Sequence, residues 1–349
     1  MPTKKSKLKI GISCGDINGI GLEVALKALA DSRMLDMCIP VIYGSVKAAT
    51  FYKNRVDMKD LVFNITDSAE NLNKRKINFV NCYKDEVRVE FGESTREAGD
   101  LAFRSLKAAT EDLAATNIDV LVTAPINKDN IQSKDFDFPG HTEFLANYAN
   151  EENPLMLLVH ENFRVGVVTG HIPLKEVPEK ISKELILKKL EIMNKSLIQD
   201  FSCTKPKIAV LGLNPHAGDN GLLGDEENKV IKPAVDQAMD NDIYAFGPFP
   251  ADGFFGSGMH HKYDGVLAMY HDQGLVPFKT VSFGGGVNFT AGLPIVRTSP
   301  DHGTAYDIAG KGVADESSFR AAIYEATDIY NSRKRYREAA SNPLQPQKM

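Results

Sequence analysis

The chain is poor in cysteine, has no long apolar run and carries no excess of positive charge, and each lack removes a class of protein. Its four cysteines, Cys14, Cys38, Cys82 and Cys203, are scattered through 349 residues. None forms a C-x-x-C pair, so neither a disulfide framework nor a cysteine metal site is expected, and free thiols fit a cytoplasmic chain. No apolar stretch approaches the roughly 20 residues a transmembrane helix needs. The basic start (Lys4, Lys5, Lys7) looks like the first part of a secretory signal, but too few apolar residues follow before Cys14-Gly15-Asp16. A net charge of −5 leaves no basic field for nucleic acid or an anionic membrane. There is no internal repeat. With 43% apolar and 25% charged residues the chain reads as an ordinary globular protein, long enough for about two domains.

Short hydrophobic runs organise what is there. Residues 265–269 read as a buried strand and pass through Tyr270 into His271-Asp272-Gln273-Gly274. The pattern occurs twice upstream, where 164–170 ends in His171 and 207–215 ends in His216. If these strands lie parallel in one sheet, three imidazoles emerge on one rim, where open α/β sheets place their ligands. Three His with an open position suit a catalytic divalent metal. Each His alone also reads as a hydrogen-bonded loop residue, and the spacing matches no compact zinc motif, so the repeated context carries the reading.

Taken in order, a strand at 8–13 leads through Gly15-Asp16-Ile17-Asn18-Gly19-Ile20-Gly21 to a helix at 22–30. The turn is not G-x-G-x-x-G, and a tight turn without a ligand is expected. Strands follow at 38–43, 61–65 and 77–80, a solvated connection at 84–93, and a long helix from about Ser94 with Leu101, Leu106 and Leu113 on one face. A strand at 118–123 then runs into Ala124-Pro125-Ile126-Asn127-Lys128. Such alternation argues for a sheet covered by helices. Thr142 is expected to N-cap a helix to about 149; it and His141 either only cap that helix or face an anion at its start. Strands at 155–159 and 164–169 join through a hairpin turn, which sets His160 at the end away from His171. Further on, 182–199 and 231–239 read as helices, 217–227 as a flexible loop, and 243–249 as an apolar run leading to Asp252. Residues 283–288 form a Gly-rich loop that either closes over a phosphate or is an idle turn. Arg297 ends an apolar run, 301–305 opens a helix, 317–330 is the last helix, and the rest is frayed.

Four segments carry a resemblance. Gly140-His141-Thr142-Glu143-Phe144, Gly212-Leu213-Asn214-Pro215-His216-Ala217-Gly218, Leu267-Ala268-Met269-Tyr270-His271-Asp272-Gln273-Gly274 and Arg297-Thr298-Ser299-Pro300-Asp301-His302-Gly303-Thr304-Ala305 together resemble the 4-hydroxythreonine-4-phosphate dehydrogenase family of vitamin B6 biosynthesis. The resemblance implies an α/β/α sandwich of the isocitrate/isopropylmalate dehydrogenase-like type, with a cleft between two subdomains. The first would be 1–130 plus 295–335, the second 131–294 with metal and dimer contacts, and 336–349 a frayed tail. It implies oxidation of the 3-hydroxyl of 4-phosphohydroxy-L-threonine by NAD or NADP, the β-keto acid then losing carbon dioxide to give 3-amino-2-oxopropyl phosphate. The family's metal ligands fall on His171, His216 and His271, and its substrate residues on His141, Thr142, Lys279, Asn288 and Arg297. The metal would be zinc, magnesium or cobalt. The family is a homodimer that borrows metal ligands across its interface, so the rings need not come from one subunit. Residues 301–312 are similar to the adenosine-contacting loop of isopropylmalate and isocitrate dehydrogenases, which puts His302, Gly303, Thr304 and Ala305 at the cofactor. One departure stands out: many members have Gly-Glu-Pro-Ala-Gly-Ile-Gly where this chain has residues 15–21.

In that setting a metal would lower the pKa of the substrate hydroxyl and stabilise the enolate left as carbon dioxide departs. Asp252 and Asp272 are candidates to orient the metal-bound groups or their histidines, or for acid/base work. Two other readings stay open. One is a sister dehydrogenase of threonate or erythronate 4-phosphate; the other is a metal-dependent hydrolase, since three His also activate water.

Overall fold

The computed structural model describes residues 7–83 and 87–341. Its strands are β1 (Leu8–Ser13), β2 (Cys38–Gly44), β3 (Phe63–Thr66), β4 (Ile77–Asn81), β5 (Val120–Thr123), β6 (Leu155–His160), β7 (Phe163–Val167), β8 (Ile208–Leu211), β9 (Ala245–Phe249), β10 (Gly265–Ala268), β11 (Val287–Ala291) and β12 (Arg297–Pro300). The α-helices of eight residues or more are α1 (Gly21–Ala30), α2 (Val46–Arg55), α3 (Arg96–Ala114), α4 (His141–Tyr148), α5 (Lys183–Gln199), α6 (Lys232–Asp240), α7 (His271–Val281) and α8 (Ser317–Ser341). The expected α/β class is the one found.

The chain divides into two compact units. The first runs through Glu152 and adds Gly284–Phe289 and Pro294–Thr327. The second holds Asn153–Phe283, Thr290–Leu293 and the residues from Asp328 on. Residues 131–152 thus go with the first unit, whereas the sequence-based division groups 131–294 together. The expected frayed tail is also shorter, because α8 stays helical to Ser341. The end of α8 is anchored in the second unit by Arg333, which donates to Asp200 and to the Leu293 carbonyl. Both partners of that ion pair are buried, so removing either would strand a charge at a cost of about 3–5 kcal/mol. The remaining tail residues, 342–349, lie outside the described residues, as do 84–86 of the expected connection.

In the first unit the strand order is β3-β4-β2-β1-β5-β12-β11. All pairs are parallel except β11 with β12. Near-continuous apolar strands such as β1 (Ile10 and Ile12 fully buried) suit a parallel sheet covered on both faces. Ser105 of α3 donates to the Tyr43 carbonyl and accepts from the Cys14 amide, tying helix to sheet. In the second unit the order is β6-β7-β10-β8-β9, with only the β6–β7 hairpin antiparallel. Val165, Val167, Ala209, Leu211, Val266 and Ala268 form its core with Phe254 and Phe278. The expectation of three parallel strands is met: β10 lies between β7 and β8 and runs parallel to both.

Candidate active site

The second unit sets the three imidazoles on one rim. His171, His216 and His271 follow the carboxyl ends of β7, β8 and β10. The rim is braced from within: Gln273 accepts from the Met269 amide and donates to the Gly212 carbonyl, linking the ends of β10 and β8. Thr169 donates to the Met269 carbonyl, linking β7 to β10. His271 opens α7 directly after Tyr270, so strand and helix share one short hinge. Gly274 permits this, since a Cβ there would lie 2.9 Å from Val165 Cγ1.

The His171 and His271 rings approach to 5.5 Å between centroids. They line a pocket of about 470 Å³ with Leu174, Val177, Tyr270 and Asp272. Asp272 Oδ1 lies 2.7 Å from His271 Nδ1. That contact places the ring proton on Nδ1 and leaves Nε2 as the outward donor atom, the usual carboxylate–histidine arrangement of metal sites. His216 stands apart, exposed on a left-handed turn (φ 52°) that replaces the flexible loop expected at 217–227. Asp252 lies in the first turn of a short helix and lines a second pocket of about 720 Å³ with Asn214, Phe255 and Gln273. Among the described residues no three His, Cys, Asp or Glu side chains stand close enough to hold a metal ion. Donor chemistry fits a divalent metal all the same: two imidazoles converge, one is oriented by a carboxylate, and the third waits on the adjoining strand end.

A different cluster of polar side chains belongs to the first unit. Arg297 opens β12 and is 3% exposed. Its Nε and Nη2 donate to Thr123 Oγ1, at 2.9 and 2.6 Å, at the end of the parallel neighbour β5. Burial pulls the guanidinium down to about 10, still cationic at neutral pH, with Glu143 opposing that shift. His141 is the first residue of α4 and is 9% exposed, its Nε2 buried without a hydrogen-bond partner. Burial, then the charges of Arg297 and Lys128, hold this imidazole well below its ordinary range, so it is neutral. The buried guanidinium, the charge of exposed Lys128 and a neutral ring at a helix N-terminus form a cluster whose chemistry suits an anion. The N-cap is Gly140 rather than the expected Thr142, because α4 begins two residues earlier than that cap implies, at His141. Thr142 sits in the first turn. Asn288 lies on β11 with its Oδ1 buried and unpartnered. Lys279 lies on α7 of the second unit and is exposed. Lys128 was not picked out from sequence, although it follows the β5 strand end as the histidines follow theirs.

Residues 301–305 do not open a helix. Ala305 takes a left-handed conformation (φ 42°) and only a short 3₁₀ turn, Tyr306–Ile308, follows. The loop is held by the Gly15–Gly21 turn: Ile20 N–H donates to the Thr304 carbonyl, and Tyr306 donates to the buried carboxylate of Asp16. Asn130 Nδ2 donates to the same carboxylate oxygen. Asn18 clasps the next strap, bonding Glu90, Glu93 and Thr95. Side chains at 16 and 18 therefore build the frame. His302 Nδ1 meets the Gly303 carbonyl at 3.0 Å, and its Nε2 is buried without a hydrogen-bond partner.

Parallel strands with titratable groups beyond their carboxyl ends define the class first: an α/β protein of the isocitrate dehydrogenase type. A solved isocitrate dehydrogenase from Methylococcus capsulatus shares this fold, with TM-score 0.51 and 12% identity over 95% of this chain and 89% of that one. The chain belongs to the family described as pyridoxal phosphate biosynthetic protein PdxA, which residues 36–326 match. It is 51% identical to a 4-hydroxythreonine-4-phosphate dehydrogenase from Bacteroides thetaiotaomicron, over 99% of this chain and 94% of that one. A putative D-threonate 4-phosphate dehydrogenase from Oceanobacillus iheyensis is 38% identical over 92% and 97% of the two chains. The crystal structure of 4-hydroxythreonine-4-phosphate dehydrogenase from Klebsiella pneumoniae gives TM-score 0.80 at 34% identity, covering 95% of this chain and 99% of that one.

Proposed function

We propose that this chain oxidises the 3-hydroxyl of 4-phosphohydroxy-L-threonine with NAD or NADP. Hydride passes to the nicotinamide and the hydroxyl proton to a base. The β-keto acid then loses carbon dioxide to give 3-amino-2-oxopropyl phosphate in pyridoxal phosphate biosynthesis. The observation that carries the reading is the buried Arg297–Thr123 pair, with the neutral His141 within reach of its charge, as a cationic cluster for an anionic substrate group in a chain of the PdxA family. In it Arg297 binds the anion through its planar fork, neutral His141 donates or accepts without competing charge, and Thr142 and Asn288 add further contacts; Lys279 is a further substrate-binding residue. His302, Gly303, Thr304 and Ala305 contact the nucleotide.

His171, His216 and His271 would hold one divalent metal ion (zinc, magnesium or cobalt), oriented by Asp272, with Asp252 beside them. When bound, such an ion acidifies the substrate hydroxyl and offsets the negative charge of the enolate. Three ligands that do not gather within one chain support a homodimer whose active site is shared. Unpaired Cys14, Cys38, Cys82 and Cys203 support a cytoplasmic location.

A metal-supplemented assay tests this, with 4-phosphohydroxy-L-threonine and D-threonate 4-phosphate supplied side by side while NADH and carbon dioxide are followed. Both products from the amino substrate are expected. Faster turnover of the hydroxy acid would reassign the substrate to the second reading, which the Oceanobacillus relative favours. Phosphate release without NADH would replace oxidation by hydrolysis.

A further inference from the structure

Glu227 has no part in the reaction outlined above, yet it is 2% exposed and its side-chain carboxylate bonds the segment that leads into the His216 turn. Its Oε1 accepts from the amides of Leu213 and Asn214, at 2.8 and 2.7 Å. Its Oε2 accepts from Asn214 Nδ2 at 3.0 Å, and the same amide reaches Glu226 Oε2 at 2.7 Å. The chain between is unusual. His216, Ala217, Gly218, Asp219 and Asn220 all have positive φ, from 42° to 79°, a left-handed run that L-residues avoid. Gly218 is pressed against the carboxylate, where a Cβ would meet Glu227 Oε2 at 2.6 Å. Glu227 itself begins a π-helical turn, Glu227–Ile231, ahead of α6, a deviation that turns up often at functional positions. A strained segment persists only where its surroundings over-determine it. Here one buried carboxylate holds the two residues that lead into the bend and packs against Gly218 within it.

We propose that Glu227 is a positioning residue for His216: its carboxylate holds the left-handed turn in the shape that presents this imidazole to a metal ion. The inference rests on the reading of His216 as a ligand. Cobalt(II) is the probe, its affinity measured on the full chain by calorimetry and by its visible absorption, with thermal melting recorded in parallel. Glu227→Gln keeps the volume but removes the charge and leaves an NH2 group facing either the two backbone amides or the Asn214 side-chain amide. It is expected to bind cobalt about 10–100-fold more weakly, while Glu227→Asp, which keeps the charge, recovers part of the loss. His216→Ala is the reference for the ligand reading. If His216→Ala binds cobalt as the parent does, that reading falls and the proposal with it. If His216→Ala loses cobalt but Glu227→Gln binds it at parent affinity and merely melts earlier, Glu227 is a structural staple and the proposal alone is overturned. Should Glu227→Gln not fold, Asn214→Ala decides. It removes the side-chain arm and leaves both amide bonds; a cobalt affinity lowered several-fold upholds the proposal, and parent affinity overturns it.

Discussion

In the first unit the candidate chemistry is buried and its guanidinium is already held; in the second it stands on an open rim and is incomplete. Arg297 and His141 are 3% and 9% exposed, and Thr123 grips the guanidinium before any ligand arrives. His216 is exposed on a strained turn, and His271 leans on a carboxylate that is itself 77% exposed. A buried cation costs desolvation, which an anionic ligand then repays with a strong, specific contact. An exposed imidazole gives up that strength but stays free to be completed by groups from elsewhere. Under the proposed function, recognition falls to the first cluster and metal assembly to the second.

The largest expected break in that contrast is at Arg297. Arg297→Ala should lower kcat/KM by about 10²–10³-fold, mainly through KM, because a desolvated charged contact is worth about 2–5 kcal/mol. Arg297→Lys should recover little, since a point charge cannot replace a planar fork. Steady-state kinetics on both variants check this, and parent-like KM values would remove the cluster from substrate binding. In the second unit, Asp272→Asn should weaken cobalt affinity about 10–100-fold by freeing the His271 ring, while leaving the KM for the phosphorylated substrate nearly unchanged. An equal rise in both would mean that the two sites are not separable as described.

The rim was legible because three apolar runs each stop at a His, and parallel pairing of β7, β10 and β8 puts their ends on one edge. The helix behind His271 was not, because Gly274 and Pro277 look like breakers. In fact Gly274 is needed for α7 to lie against Val165, and Pro277 is tolerated within it. Arg297 was read as the end of an apolar run, whereas it opens β12 and its partner Thr123 lies far back in the chain. Lys128 follows a strand end too, but no imidazole drew attention to it. Glu227 and Asp16 were out of reach for a further reason. Each is a buried carboxylate whose partners are backbone amides or distant side chains, and such pairings leave no periodic trace. Local pattern thus reported the edges where side chains emerge, and long-range pairing decided which of them are held.

The smallest effect is also the most direct test of how the first cluster is built. His141 is neutral in the folded chain, held well below its ordinary value of 6.5 first by burial and then by the cations Arg297 and Lys128. Above that ordinary value both folded and unfolded chains carry a neutral ring, and the residue makes no pH-dependent contribution. As pH falls below 6.5 the unfolded chain takes up a proton that the folded chain refuses, so stability is lost from there down to the folded pKa. The slope is at most about 1.4 kcal/mol per pH unit for one such group. His141→Gln removes the titration while keeping a polar side chain in the cluster. Denaturant unfolding at a series of pH values from neutral downward should therefore show the parent losing stability faster than the variant below 6.5, with the two curves parallel above it. Parallel curves throughout would mean that the ring takes up its proton in the folded chain as readily as in the unfolded one. Below 6.5 the cluster would then carry three positive charges, and the division between a recognition cluster with one tuned neutral member and an open metal rim would have to be redrawn.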